Sequence, residues 1–305
     1  MTTTAKPAVS RGKVTFYLVL TTVLWGGSFV FNKIGFRDIP PVTFMFLRFA
    51  LATVIMGIFC LRRLSGLNRD IMVKGAKVGL ALAAANLSFV LGVSGTSVSR
   101  AGFLNNLFVL LVPLLCFLLW RERVSRWNIV GILLAMIGLW QLAVGGAAGF
   151  SRGDFFSTVC ALFISFHIIL VSKILHNEDV YLVTLVQFAT VAAVGGLLFL
   201  CLPARPFTVG MVSGGALLYC AVFPTVICFT LMNTYQRYST PTRAGLIYTL
   251  DPVWSMLGGM LILGERLSHR EWLGCLFIFG AVILPLFIHF LQEKRGPKYL
   301  SQPNP

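Results

Sequence analysis

Arg48, Asp251 and His167 are the ionisable side chains of this 305-residue chain that sit well inside long apolar runs. A charge held at the centre of a bilayer costs at least about 2.5–3.5 kcal/mol on insertion scales, so each such group needs a partner or a wet cavity. Arg48 stands about two turns into its helix, where it would either attract a substrate carboxylate or bridge helices by binding backbone carbonyls. Asp251, the one carboxylate deep in an apolar run, suits proton coupling or a substrate ammonium. Equally, it would serve as a cap on the backbone opened by Pro252, or as a partner for an Arg or a Tyr. His167 carries an imidazole, the group whose charge changes nearest neutral pH. A hydrogen-bonded packing histidine is its commoner fate.

Uncharged polar groups form a second tier. Asn86, Asn105, Asn106, Gln187 and Asn233 must find partners inside a helix bundle, and lining a polar cavity would provide them. Trp25, Phe29 and Tyr248 are candidates for stacking on an apolar or aromatic substrate moiety. In a chain with 26 Phe, most aromatics are packing, and Trp25 rises above that background through its neighbours Gly26 and Gly27. Trp120, Trp127 and Trp272 lie near helix ends and read as interfacial anchors.

Other chemistries lack their residues. Aspartyl intramembrane proteolysis needs two carboxylates, no GxSxG sits on a suitable element, and no His/Cys/Glu cluster has zinc spacing. There is no Walker A sequence, so energy must come from a gradient or from partner proteins. A channel would want a re-entrant filter or a ring of charge. The seven cysteines are scattered singly and read as packing. These readings predict a non-enzyme with no cofactor and no metal. Its net charge of +15 lies at helix ends rather than along a stripe, which argues against nucleic acid as a partner.

The elements that must position these groups follow from composition. Hydrophobic residues make up 57% of the chain and charged ones 11%, the mean hydropathy is +0.85, and soluble domains carry roughly a quarter charged residues. Apolar runs predict ten membrane helices at 14–34, 41–61, 77–95, 100–120, 127–145, 154–174, 180–202, 211–234, 241–263 and 271–291. Pro113, Pro224, Pro252 and Pro285 fall inside these runs and are candidate hinges. Numbered from a cytoplasmic N-terminus, one face receives 17 Lys and Arg and the other 7, with Arg48 inside a helix. The positive-inside rule then places both termini in the cytoplasm. The first run is too long for a signal peptide and is expected to be retained. The expected partners are a lipid bilayer and a small-molecule substrate, and the reading is compatible with a monomer.

The chain also repeats itself. Ser99-Arg100-Ala101-Gly102 matches Thr242-Arg243-Ala244-Gly245 at an offset of 143, which continues through Leu107 and Leu250, Glu122-Arg123 and Glu265-Arg266, and Gly131 and Gly274. A second echo, at offset 139, pairs Arg48-Phe49-Ala50 with Gln187-Phe188-Ala189. Two halves, 1–148 and 149–291, are followed by a cytoplasmic tail at 292–305. Five helices per half is an odd number, so the second half must enter the membrane upside down. Inverted repeats of this kind open a shared midplane site alternately to each side, which argues for a carrier.

Arg243-Ala244-Gly245, Tyr248-Thr249-Leu250-Asp251-Pro252-Val253, Leu263-Gly264-Glu265-Arg266-Leu267 and Gly274 together resemble the signature of the EamA family of the drug/metabolite transporter superfamily, as do Trp25-Gly26 and Leu47-Arg48-Phe49. The resemblance extends to about residue 291. It implies an all-α polytopic membrane protein, with ten transmembrane helices in two five-helix inverted repeats around a central cavity. The implied activity is export of amino acids or related metabolites from a bacterial cytoplasmic (inner) membrane, with aromatic amino acids one specialisation. Drug carriage, or import, is the alternative. One departure is that Asp251-Pro252 becomes Phe108-Val109 in the first repeat, so the acidic-Pro pair has no symmetrical counterpart.

Overall fold

A computed structural model describes residues 10–96, 98–143, 150–175, 178–202, 206–254, 256–257 and 268–294. Among these, the regular elements are all helical. Eight stretches are long and apolar enough to cross a membrane: Arg11–Gly35, Pro41–Gly66, Arg69–Gly95, Arg100–Trp120, Arg152–Ile174, Val180–Cys201, Met211–Gln236 and His269–Ile288. The expected fifth run is met by a helix at Arg126–Ala143. The ninth begins as Pro241–Tyr248 and is helical again over 251–254, while 258–263 of that expected span lies outside the described residues.

The helices are α1 (Arg11–Gly26), α2 (Ser28–Gly35), α3 (Pro41–Cys60), α4 (Arg69–Gly95), α5 (Val98–Asn105), α6 (Phe108–Trp120) and α7 (Arg126–Ala143). They continue as α8 (Arg152–Ile174), α9 (Val180–Cys201), α10 (Met211–Ala221), α11 (Cys228–Gln236), α12 (Pro241–Tyr248) and α13 (His269–Lys294). Local chemistry sets the starts. Pro41 opens α3 at a position where its missing N–H is not needed. Asn68 caps α4 by accepting from Ile71 N at 2.9 Å, and Asp70 complements the helix dipole in the first turn. This moves the start of the third span from the expected 77 to Arg69: hydropathy finds only the lipid-embedded part, whereas the cap extends the helix by two polar turns. Ser151 and Asp154 form a reciprocal capping box at the start of α8.

Several spans are interrupted. The first breaks at Gly27, between α1 and α2. The fourth breaks at Asn106-Leu107, where Val109 N and Leu110 N bond three residues back, and the ninth breaks at Thr249-Leu250 with the same tight pattern. These two breaks are 143 residues apart, so the repeat extends to a shared interruption. The break before Pro252 follows from the ring's clash with the carbonyl four residues earlier. Pro113 and Pro285, by contrast, lie inside continuous helices, so proline position alone does not locate the fourth-span break.

Small residues bring the helices together. A Cβ added to Gly131 would lie 2.8 Å from the Ala281 carbonyl oxygen, and one on Gly138 would lie 2.7 Å from that of Gly274. Gly131 and Gly274, and Gly138 and Ala281, are themselves 143 apart. The contact between α7 and α13 is thus reciprocal, as a two-fold relation requires, and antiparallel. With lipid as solvent no hydrophobic force drives this association, so close backbone approach through small residues must supply it.

Ionic contacts tie the ends of the bundle. At one end, Lys74 bridges Asp70 and Glu178 at 2.5 and 2.7 Å, Arg63 meets Asp179 at 3.2 Å, and Lys173 pairs with Glu122. Elsewhere, Asp154 accepts from Thr96 Oγ1 at 2.8 Å and pairs with Arg100 at 2.8 Å, while Lys33 donates to the Thr96 carbonyl at 3.0 Å.

Candidate functional site

A cavity of about 110 Å³ lies where both halves of the chain meet. One water needs about 10–15 Å³ on this measure, so the space holds several waters or part of a small solute. Trp25, Ser28 and Phe29 line it from the first span, Arg48 from α3, and Ala85, Asn86 and Phe89 from α4. Asn105, Asn106 and Phe108 come from the interrupted fourth span, and Cys160, Ile164 and Ile168 from α8. Phe229 and Met232 of α11, with Tyr248 and Asp251 of the interrupted ninth span, complete the wall.

Two ionisable groups, Arg48 and Asp251, face this space without forming an ion pair. Arg48 is 4% exposed, and its Nε donates to Thr225 Oγ1 at 2.6 Å; no acceptor among the described residues meets its Nη atoms. It thereby bridges α3 to the Met211–Gln236 span, through a side-chain hydroxyl rather than a backbone carbonyl. Asp251 Oδ1 is buried and has no hydrogen-bond partner among the described residues. The Tyr248 hydroxyl does not meet it, donating instead to Gln236 Oε1 at 2.9 Å.

The amides divide in the same way. Both polar atoms of Asn105 are buried and without partners. Asn106 donates to Gly102 O at 2.8 Å and Asn86 to Leu82 O at 3.1 Å, so each amide nitrogen satisfies its own helix, and Asn106 Oδ1 stays open. Asn105 and Tyr248, 143 residues apart, both line the cavity, as do Phe108 and Asp251 at the same offset. The duplicated frame thus presents an amide and a phenyl ring from one half, and a phenol and a carboxylate from the other.

Aromatic rings make the apolar wall. Trp25 packs edge-on to Phe229 and Tyr248, with centroids 5.6 and 5.4 Å apart, and its indole N–H donates to Pro224 O at 3.0 Å. Phe29 packs edge-on to Phe89 at 5.2 Å. Such a site suits a ligand with one apolar portion and two polar ends of opposite charge.

His167 is not among the lining residues. Its neighbour Ile168 lines the cavity, and consecutive helical residues project about 100° apart. His167 turns instead to Gln187, with the two side-chain nitrogens 2.9 Å apart, and Asn233 Nδ2 bonds Gln187 Oε1 at 2.8 Å and Thr184 Oγ1 at 2.9 Å. Gln187 and Asn233 are therefore bonded to each other away from the site, with Asn233 Oδ1 left open. Sequence reading missed Ser28, Phe89, Phe108 and Phe229 in the wall. Helical spacing from Trp25 to Ser28 and Phe29, and from Asn86 to Phe89, is the signal that would have found some of them.

A solved crystal structure superposes at a TM-score of 0.77 over 93% of this chain and 100% of its own, with 20% identity, which shows the shared fold. An uncharacterized transporter of Archaeoglobus fulgidus is 28% identical over 88% of this chain and 83% of its own length. A probable amino-acid metabolite efflux pump of Escherichia coli is 22% identical, covering 88% of this chain and 93% of its own. The EamA-like transporter family matches twice, over residues 12–144 and 151–287. This multi-pass membrane protein belongs to the EamA-like transporter family.

Proposed function

We propose that the chain exports amino acids with apolar or aromatic side chains across a bacterial cytoplasmic membrane, by alternating access of the central cavity. The observation that carries this reading is the pair of ionisable groups, Arg48 and Asp251, which line one cavity and make no ion pair with each other. Left unoccupied, an arginine and an unpartnered carboxyl group at membrane depth are costly. A zwitterion relieves both: its carboxylate meets the Arg48 fork, its ammonium meets Asp251 and Asn105 Oδ1, and its side chain lies against Trp25, Phe29 and Tyr248. The similarity to a probable amino-acid metabolite efflux pump supports the same substrate class and direction.

The halves 1–148 and 149–291 act as inverted repeats in this scheme, which the antiparallel, reciprocal contact of α7 and α13 supports. The end-to-end ion pairs join loops that the charge count assigns to a single face, in keeping with cytoplasmic termini. Proteoliposomes loaded with radiolabelled L-amino acids test the proposal. Saturable efflux that prefers apolar and aromatic side chains is expected; flux of no amino acid, with or without a pH gradient, would reject the substrate class. Because Asp251 lacks a protein partner it also suits a coupled proton. Loss of gradient-driven efflux in Asp251→Asn, with exchange retained, would assign it that role.

A further inference from the structure

Pro224 sits in the middle of the seventh described span, and the backbone around it, Val222–Ile227, is widened into a π-helical turn. Physical necessity explains the widening. Proline has no N–H, so the carbonyl of Cys220, four residues earlier, loses its helical donor. The hydroxyl of Thr225 replaces that donor, reaching Cys220 O at 2.6 Å. Further on, the N–H of Cys228 reaches back five residues to Phe223 O, and the Pro224 carbonyl is left for another donor, which is the indole N–H of Trp25 at 3.0 Å.

The wide turn therefore offers two groups to the other half of the molecule, and both are taken by residues that line the cavity. Thr225 is fully buried, and its hydroxyl, having given its proton to Cys220 O, faces Arg48 Nε with lone pairs only, at 2.6 Å. Nε is thereby engaged, and the two Nη groups of the planar guanidinium stay free for a ligand. Single π-turns inside α-helices are frequent at functional sites.

We infer that Pro224 and Thr225 are positioning residues for the transport site: the proline opens the helix, and the Thr225 hydroxyl, oriented by the Cys220 carbonyl, aims the Arg48 fork into the cavity while the freed Pro224 carbonyl anchors Trp25. This inference rests on the reading of Arg48 as the carboxylate-binding group. It makes Thr225 a determinant of affinity for carboxylated substrates, although it touches no substrate itself.

Thr225→Val removes the hydroxyl at nearly constant volume, and Thr225→Ser keeps it. In proteoliposomes with L-[³H]phenylalanine as probe, Thr225→Val is expected to raise KM roughly tenfold, the loss of one hydrogen bond to a charged group. Vmax should stay within about twofold, and Thr225→Ser should match the wild type. A second measurement needs no substrate. In ¹⁵N-arginine-labelled protein, with the Arg48 signal assigned by Arg48→Lys, the Nε–H should exchange slowly in wild type and Thr225→Ser and rapidly in Thr225→Val. Equal exchange rates in all three proteins would overturn the inference. So would a Thr225→Ser variant that behaves as Thr225→Val, or a fall in Vmax with KM unchanged. If wild type moves no amino acid while Nε exchange still follows the hydroxyl, the substrate reading fails and the positioning role stands.

Discussion

Two buried polar regions of this protein differ in how far their side chains bond one another. Around the cavity, Asp251 Oδ1, both polar atoms of Asn105 and Asn106 Oδ1 are buried without hydrogen-bond partners among the described residues, while Arg48 is held through Nε by Thr225 and lies over the Phe49 ring. Behind α8 and α11, Thr184, Gln187 and Asn233 bond one another, and Gln236 donates to Ile168 O at 2.6 Å and Ser172 Oγ at 2.9 Å while accepting from Tyr248. Only His167 Nδ1 and Asn233 Oδ1 stay open in that second region. Buried polar groups are normally paired, so a concentration of unpaired ones against a cavity marks the place of a ligand, whereas a set bonded mainly to itself marks scaffold.

Substitutions can break this distinction. The largest effect is expected for Arg48→Gln: losing a charged, forked donor should weaken carboxylated substrates by about 2–3 kcal/mol, roughly 30- to 150-fold in KM. Efflux kinetics of L-phenylalanine would show it. Asp251→Asn should follow at roughly tenfold, seen as a loss of preference for substrates that carry an ammonium group. Asn105→Ala should raise KM by about threefold, within the range of one neutral hydrogen bond. Gln187→Leu closes the series. It should leave KM within about twofold, because its partners lie off the cavity wall, yet lower stability by about 1–3 kcal/mol through the unpaired Asn233 and His167 groups. Thermal unfolding in detergent measures the stability change. If Gln187→Leu raised KM as much as Asn105→Ala, the boundary between site and scaffold would be misplaced.

The legible part of this protein is what periodicity and composition encode. Apolar runs located the membrane helices, and the 143-residue echo extended to details such as paired breaks at Asn106-Leu107 and Thr249-Leu250. Arg48, Asp251, Asn105 and Tyr248 were conspicuous because polar groups in apolar runs are expensive, and all four line the cavity. His167 met the same criterion and faces elsewhere: type and depth say that a group needs a partner, but only the rotation of its helix says which. Thr225 went unnoticed for a related reason. A threonine in a membrane helix is cheap, and its importance comes from Pro224 one residue before and from Arg48 on a helix 177 residues away in the chain. The start of the third span at Arg69 was hidden because two polar turns carry no hydropathy signal and are specified by the Asn68 cap.

The claim on which the account depends is that Arg48 and Asp251 hold the two ends of one zwitterion. Binding of L-phenylalanine, phenethylamine and 3-phenylpropionate to the purified protein tests it directly, in wild type, Arg48→Gln and Asp251→Asn. The account predicts that wild type prefers phenylalanine to both fragments, that Arg48→Gln erases the preference over the amine, and that Asp251→Asn erases the preference over the acid. Equal affinity of wild type for all three compounds would contradict it.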